Sequence, residues 1–404
     1  VIRPRAEAMR ADSRVTPLEL FFDLVFVYAF TQVTAIMAGD LTARGMTHGL
    51  LMLAVLWWVW CCFAWVGTTL RADEGVVRAV MLAVAVAMFI VSLSIPEAFV
   101  DIPGGLRGPV VFAACYLVIR TLHLITYWYG ARYWVGAGDH AMQRQVIRIA
   151  IPMLIGVGIL FAASFTSGTT QTLLWVGAIA VDYGGVLLAG TSGWVVPSPG
   201  HFAERHGLIV IIALGESVVS IGIGVLDLPI SWPIIVAAVL GMTVAAALWW
   251  LYFDVVAIAA EHRFTSAVGR DRAAIARDSY TFLHLPMVAG IILLSLGLKK
   301  VLNYVGEHHL DEPLKGIGLY ALFGGVALYL LAHIGFRLRN MGTVSRPRLV
   351  TVGLLAVLAP VLVAVPALAA LLVLAAVCAG LVGFEIWRYA EARYRLRHAD
   401  HAEA

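Results

Sequence analysis

The sequence predicts an all-α fold, a polytopic helical membrane protein of about twelve spans, because a span takes roughly 20 apolar residues. Three observations predict it. The 404 residues are 61% hydrophobic and 13% charged, with a mean hydropathy of +0.90. A soluble domain of this size cannot hide that much apolar surface, whereas a bilayer can. The apolar residues also come in long runs, such as Met81 to Ile95 and Leu349 to Ala359, without the alternation that a membrane β-barrel requires. Finally, the basic residues gather in every second connection.

Spans are expected at 17–38, 46–70, 76–96, 108–129, 145–165, 171–192, 205–225, 232–260, 275–298, 315–337, 347–366 and 368–389. The first opens on Thr16-Pro17, a capping residue followed by a proline suited to the first helical position. The second holds Trp57-Trp58-Val59-Trp60, the fourth Arg120 and His123, the sixth Asp182. The seventh is expected to start at Glu204-Arg205-His206, where a carboxylate in the first turn suits the helix dipole and Arg205 and His206 meet the cytoplasmic surface. The eighth carries Trp249-Trp250 and Asp254, the ninth His284, the tenth His333. The last two spans form one apolar stretch, broken at Ala364-Val365-Pro366 by a residue that cannot continue a helix.

Loop charge tests this count. With the N-terminus in the cytoplasm, the inside segments hold Arg3, Arg5, Arg10 and Arg14, then Arg71 and Arg78, then Arg132, Arg144 and Arg148, then Arg205. The remaining inside segments hold Arg263, Arg270, Arg272 and Arg277, then Arg337, Arg339, Arg346 and Arg348, then Arg388, Arg393, Arg395 and Arg397. Outside connections hold only Arg44, Arg107, Lys299, Lys300 and Lys315. The positive-inside rule then puts both termini in the cytoplasm. The net charge of +3 is a topology signal and asks for no nucleic-acid partner. The arm before Pro17 is polar and basic, so the first span is expected to stay in the membrane rather than be cleaved. Cys61, Cys62, Cys115 and Cys378 all fall within spans, without metal-binding spacing, and read as buried apolar residues.

Weak internal symmetry divides the chain. Trp57-Trp58-Val59-Trp60 matches Trp249-Trp250-Leu251-Tyr252, and Asp23 corresponds to Glu216 at nearly the same offset. The expected organisation is a basic arm (1–16), a first six-helix repeat (17–192), a second, parallel six-helix repeat (193–390) and a charged cytoplasmic tail (391–404). Transporters place substrate and ion sites at such repeat interfaces.

Two spans carry carboxylates at depths where lipid penalises charge. An ionisable group there faces protein or a wet cavity. Glu19 and Asp23 are four apart and share one helix face, with Asp23 roughly 9 Å into the first span. Phe21, Phe22 and Phe26 are expected on other faces of that helix. Glu216 lies roughly 18 Å beyond Glu204 along the seventh span, near the bilayer midplane. Ser217 and Gly215 flank it and let another helix approach. Arg120 is the one cation at matching depth and is expected to pair with Asp23 or Glu216. It cannot neutralise every acid, so another partner is present or one carboxylate holds a proton. A shared or shuttled proton is the mechanism this arrangement suggests.

The candidate site is therefore Glu19, Asp23, Arg120, Glu204, Arg205 and Glu216, with His123, Asp182, His206, Ser217, Asp254, His284 and His333 as supporting or cavity-lining groups. Plainer readings stand beside these: a helix cap for Glu19, a structural ion pair for Asp23, satisfied core groups for the lone histidines and acids. No metal site is assigned; Glu307-His308-His309-Leu310-Asp311-Glu312 reads as a solvated loop. Trp58, Trp60, Tyr127, Trp128, Tyr129, Tyr133 and Trp134 read as interface anchors or packing.

Two stretches resemble the bacterial low temperature requirement protein A family: Val15-Thr16-Pro17-Leu18-Glu19-Leu20-Phe21-Phe22-Asp23-Leu24-Val25-Phe26, and Phe202-Ala203-Glu204-Arg205-His206-Gly207-Leu208 running on to Leu214-Gly215-Glu216-Ser217. The resemblance implies a multi-pass protein of the bacterial inner membrane, associated by name with growth in the cold. It supplies no substrate, reaction or cofactor. The sequence itself leaves three functions open: a transporter, with or without proton coupling; a membrane enzyme using a carboxylate as acid or base on a lipid-like or isoprenoid substrate; or a non-catalytic factor in membrane adaptation. The lipid bilayer is the partner it requires; the substrate, whether small molecule, ion or lipid, the cofactor and the oligomeric state are not fixed by it.

Overall fold

The computed structural model describes residues 13–134, 141–226, 228–307 and 310–391. Arg3, Arg5 and Arg10 of the arm, Arg393, Arg395 and Arg397 of the tail, and His308 and His309 of the acidic loop lie outside the described residues, as do the side chains of Tyr133 and Trp134.

Every named element among the described residues is a helix, and twelve segments are long and apolar enough to cross a membrane. The helices are α1 (Pro17–Gly39), α2 (Ala43–Thr69), α3 (Gly75–Ser94), α4 (Gly108–Trp134), α5 (Ala141–Ala163), α6 (Gly168–Ala189) and α7 (Pro199–Ile223). They continue as α8 (Trp232–Phe253), α9 (Val256–Ser266), α10 (Gly269–Ile275), α11 (Leu283–Gly306), α12 (Ile317–Met341), α13 (Arg346–Val361) and α14 (Ala367–Arg388). The protein is thus an all-α polytopic membrane protein. The break expected near Pro366 is present: a 3-10 turn closes α13 and Pro366 caps α14 in an extended conformation.

Three boundaries differ from expectation. The seventh helix begins at Pro199, ahead of residue 205. Proline fits the first helical position because that N–H has no helical partner, and Ser198 C=O accepts the bond from Phe202 N–H at 3.2 Å. Glu204 is therefore not in the first turn, and the dipole explanation for it fails. The eighth span breaks after Phe253, and α9 continues it. The ninth is a 38-residue segment in which α10 passes through a π-helical stretch, Ala276–Phe282, into α11.

The chain forms two compact units. The first comprises the residues up to Met37, Ala43–Arg205 and Ala267–Arg277; the second comprises Ala38–Thr42, His206–Ser266 and the residues from Asp278 onward. In lipid, close packing and interhelical polar contacts hold helices together, so small residues mark the tight contacts. In the first unit, α5 meets α6 where Gly185 lies against Pro152 and Gly156 against the Ala178 carbonyl. In the second, α11 and α12 touch backbone to backbone: a Cβ on Gly290 would stand 2.5 Å from Gly325 O. Phe21 and Leu24 are exposed, as lipid-facing residues should be, while Phe22 and Phe26 are buried on the same stripe as Glu19 and Asp23. The expectation that Phe22 and Phe26 would cover other faces is corrected by that spacing: positions 19, 22, 23, 26 and 30 make one helical face.

Candidate functional site

The first turns of α1 build the main cluster. Thr16 caps the helix and Glu19 closes a reciprocal capping box: Thr16 Oγ1 accepts from Glu19 N–H at 3.3 Å, and Glu19 Oε2 accepts from Thr16 N–H at 2.9 Å. The cap fixes the Glu19 carboxylate close to the helix axis. One turn further on, Asp23 projects from the same face. Both acids are fully buried.

Their partners come from α2 and from the first two turns of α7. Arg205 Nη2 donates to Asp23 Oδ1 at 2.6 Å, and Arg205 Nη1 to Glu19 Oε1 at 3.5 Å. Trp60 Nε1 donates to the same Asp23 oxygen at 2.8 Å. The Arg205 guanidinium also stands 5.4 Å from the Trp60 ring, a cation–π contact. His201, one turn ahead of Arg205, reaches Glu19 Oε2 at 3.0 Å. A carboxylate only accepts, so this imidazole nitrogen carries the proton. Asp23 Oδ2, His201 Nδ1 and Arg205 Nε are buried with no hydrogen-bond partner among the described residues. Gly67 of α2 makes room for the assembly: a Cβ there would lie 2.8 Å from Glu19 Oε1 and 3.6 Å from Arg205 Nη1.

Arg205 is therefore not an interfacial charge. It is completely buried, as is His206, because α7 starts earlier than expected and carries both inside the bundle. Glu204 points the other way, is exposed, and accepts Val15 N–H at 3.1 Å. That contact puts the starts of α1 and α7 on one side of the membrane, as the six crossings between them require.

Arg120 pairs with neither Asp23 nor Glu216. Its guanidinium meets Asp182 of α6 at 3.0 Å, with Tyr116 on its other side at 3.4 Å. Depth placed several acids within reach of Arg120, and packing of α4 near α6 selects Asp182. His123 lies edge-on to Phe63 and stacks on Tyr127. Trp58 stacks on Tyr183 at 3.9 Å. Trp58 and Tyr127 are thus packing residues, whereas Trp60 belongs to the charged cluster.

The second unit has its own polar interior. Glu216 is fully buried and accepts Ser220 Oγ at 2.8 Å; Ser217 and Ser295 share a hydrogen bond of 2.8 Å. His284 Nδ1 lies 3.0 Å from Ser279 O, so it must be the donor; the other ring nitrogen then accepts Tyr252 O–H at 2.8 Å. His206 packs edge-on against His284, ring centres 5.1 Å apart. Arg348 of α13 forks both Glu385 oxygens of α14 at 2.8 and 2.7 Å and donates through Nη1 to the His333 ring. Asp254 is buried just past the end of α8.

No group of three or more His, Cys, Asp or Glu among the described residues is placed to hold a metal ion. Chemically, the first cluster is a buried site in which two carboxylates share one guanidinium, with an imidazole beside them.

A family profile described as bacterial low temperature requirement A protein (LtrA) matches residues 14–383. An uncharacterized protein of Rhizobium meliloti (strain 1021) is 28% identical over 298 residues, which covers 69% of this chain and 67% of the relative. No solved structure matches the chain.

Proposed function

This chain belongs to the bacterial low temperature requirement A protein family, and from that premise we propose that it is a proton-coupled transporter of the bacterial inner membrane. The reading includes two parallel six-helix repeats and both termini in the cytoplasm. Loop charge supports the orientation, and the match of Trp57-Trp58-Val59-Trp60 with Trp249-Trp250-Leu251-Tyr252 supports the repeat.

One observation carries the proton role. Glu19, Asp23, Arg205 and His201 are all buried to completion or nearly so and touch one another. With both acids ionised, Arg205 leaves one negative charge unmatched. A buried cluster tolerates net charge poorly, since each unpaired ion forfeits its solvation. One proton, held on His201 or on a carboxyl, restores neutrality. Moving that proton on and off changes the charge of a site at the start of both α1 and α7, and such a change can bias a conformational equilibrium.

The experiment is proton movement in proteoliposomes. Wild-type protein with a lumenal pH dye should dissipate an imposed pH gradient when transported solutes are supplied from a pooled bacterial metabolite extract. His201→Gln and Asp23→Asn should lose at least about nine-tenths of that flux, in line with the roughly tenfold or greater losses typical of removing an essential proton group. Wild-type flux no greater than that of empty liposomes would leave the membrane-enzyme and non-catalytic membrane-factor readings in its place.

A further inference from the structure

In the first unit, α5 turns a charged stripe outward. The helix buries Met142, Gln145, Val146, Met153, Gly156 and Val157, where it packs against α4 and α6. Its opposite face carries Arg144, Ile147, Arg148, Ile151, Leu154 and Ile155, which recur at three- and four-residue spacing and so make one stripe. The four aliphatic side chains on it are 50–59% exposed, and both arginines are exposed at its leading end. Among the described residues this face is left uncovered; in a bilayer, lipid covers it.

Neither Arg144 nor Arg148 has an ion pair or side-chain hydrogen bond among the described residues, and α5 holds no Asp or Glu. Asp139, just ahead of α5, lies outside the described residues; a single carboxylate against two arginines still leaves the charge positive. Arg148 also sits deep. From it to the far end of the helix at Ala163 is roughly 22 Å at 1.5 Å per residue, against a hydrocarbon core of about 30 Å. Arg144 stands about 6 Å nearer the water. On α4, which packs against α5, Arg132 lies 5.6 Å from the Trp128 ring, an aromatic of the kind that marks the boundary. An unpaired guanidinium at the depth of Arg148 is costly, so it reaches back to the headgroup region and takes an anion there.

We propose that the outer stripe of α5 holds an anionic phospholipid of the surrounding bilayer, its phosphate bridging Arg144 and Arg148 and its acyl chains lying along Ile151, Leu154 and Ile155. Guanidinium groups fit phosphate oxygens in pairs, and two of them one turn apart make a positive site with no counter-ion on their own helix. A zwitterionic lipid would bring its own cation against these arginines, and a soluble phosphate would leave the aliphatic stripe unused. Arg78 of α3 is the contrast: it is exposed, but no second arginine stands one turn along its helix. Lipid binding here is independent of the proton reading, and its test is binding rather than flux.

The test uses the full chain purified in a nonionic detergent, with the unfolding midpoint followed during titration. The probes are short-chain phosphatidylglycerol, phosphatidylcholine with the same acyl chains, and inorganic phosphate. Phosphatidylglycerol alone should give a saturable rise in midpoint. Arg144→Gln and Arg148→Gln should each shift half-saturation about fivefold to higher lipid, the change that one basic residue near an anionic surface supplies. Their lipid-free midpoints should match wild type, since neither side chain has a partner to lose among the described residues. Arg148→Lys keeps the charge and should retain most of the response, and Arg78→Gln should leave it unchanged. An equal rise with phosphatidylcholine, a rise with inorganic phosphate, no response to phosphatidylglycerol, or equal weakening by Arg78→Gln would overturn the proposal.

Discussion

Arg205 Nη2 and Asp23 Oδ1 lie 2.6 Å apart with both side chains fully buried. The pair joins the first helix to the seventh at a depth where neither charge could stand alone. Everything else in the cluster follows from the same guanidinium. It also faces Glu19 and stacks on Trp60, so removing any one neighbour changes the balance for the rest.

The first prediction concerns Gly67. A methyl group there would stand 2.8 Å from Glu19 Oε1, on a helix backbone that cannot retreat. Gly67→Ala should destabilise the protein by about 1–3 kcal/mol, the usual cost of overpacking. Gly215, with nothing within 4 Å of its Cβ position, is the control. Gly215→Ala should be neutral or gain up to about 1 kcal/mol from helix propensity. Thermal unfolding in detergent compares the two.

Trp60 supplies a hydrogen bond as well as a ring. Trp60→Phe keeps an aromatic face for Arg205 and Trp57 but removes the donor to Asp23 Oδ1. The expected cost is about 1.5–3 kcal/mol, the range for a hydrogen bond to a charged group. A change below a few tenths would show that Arg205 alone satisfies Asp23.

The Arg348–Glu385 fork should behave as a buried ion pair. Arg348→Met alone removes the charge partner of buried Glu385 and should cost about 3–5 kcal/mol, whereas Arg348→Met with Glu385→Leu should recover most of that loss. Equilibrium unfolding of the single and double variants gives the coupling directly. Losses that simply add would mean the two residues act independently.

The contact between α11 and α12 depends on missing side chains. A Cβ on Gly297 would lie 2.6 Å from Leu322 Cα, so Gly297→Ala must push the helices apart. On the neighbouring helix, Gly324 has nothing within 4 Å and tolerates alanine. Expression and unfolding midpoint should fall for the first variant and hold for the second.

The fold was largely legible because hydropathy runs and loop charge are read over many residues, and a small boundary error leaves the span count intact. Glu19 and Asp23 were legible as a pair because four residues return a helix to the same face. His201 was missed because the seventh span was expected to start only at Glu204-Arg205-His206, whereas the helix begins at Pro199 and carries His201 within one turn of Arg205. The same shift turned Arg205 from a surface charge into the centre of the cluster. Trp60 gave no signal of its own, since an indole donor looks like any other aromatic until an acid lies beside it. The choice of Asp182 by Arg120 depends on which helices are neighbours, and residue depth carries no such information. The cavity of the second unit, lined by Trp250, Asp254, Val256, Arg337, Arg348 and Glu385, assembles from α8, α9, α12, α13 and α14, and no local motif marks that convergence.

The central claim is that the Glu19–His201–Arg205–Asp23 cluster holds one exchangeable proton. Infrared difference spectroscopy of the purified protein across a pH jump reads this directly through carboxyl and imidazole bands. Wild-type protein should show a protonation change that disappears in both His201→Gln and Glu19→Gln and survives in Glu204→Gln, whose carboxylate is exposed. A difference spectrum that is the same in wild type and His201→Gln and Glu19→Gln would contradict it.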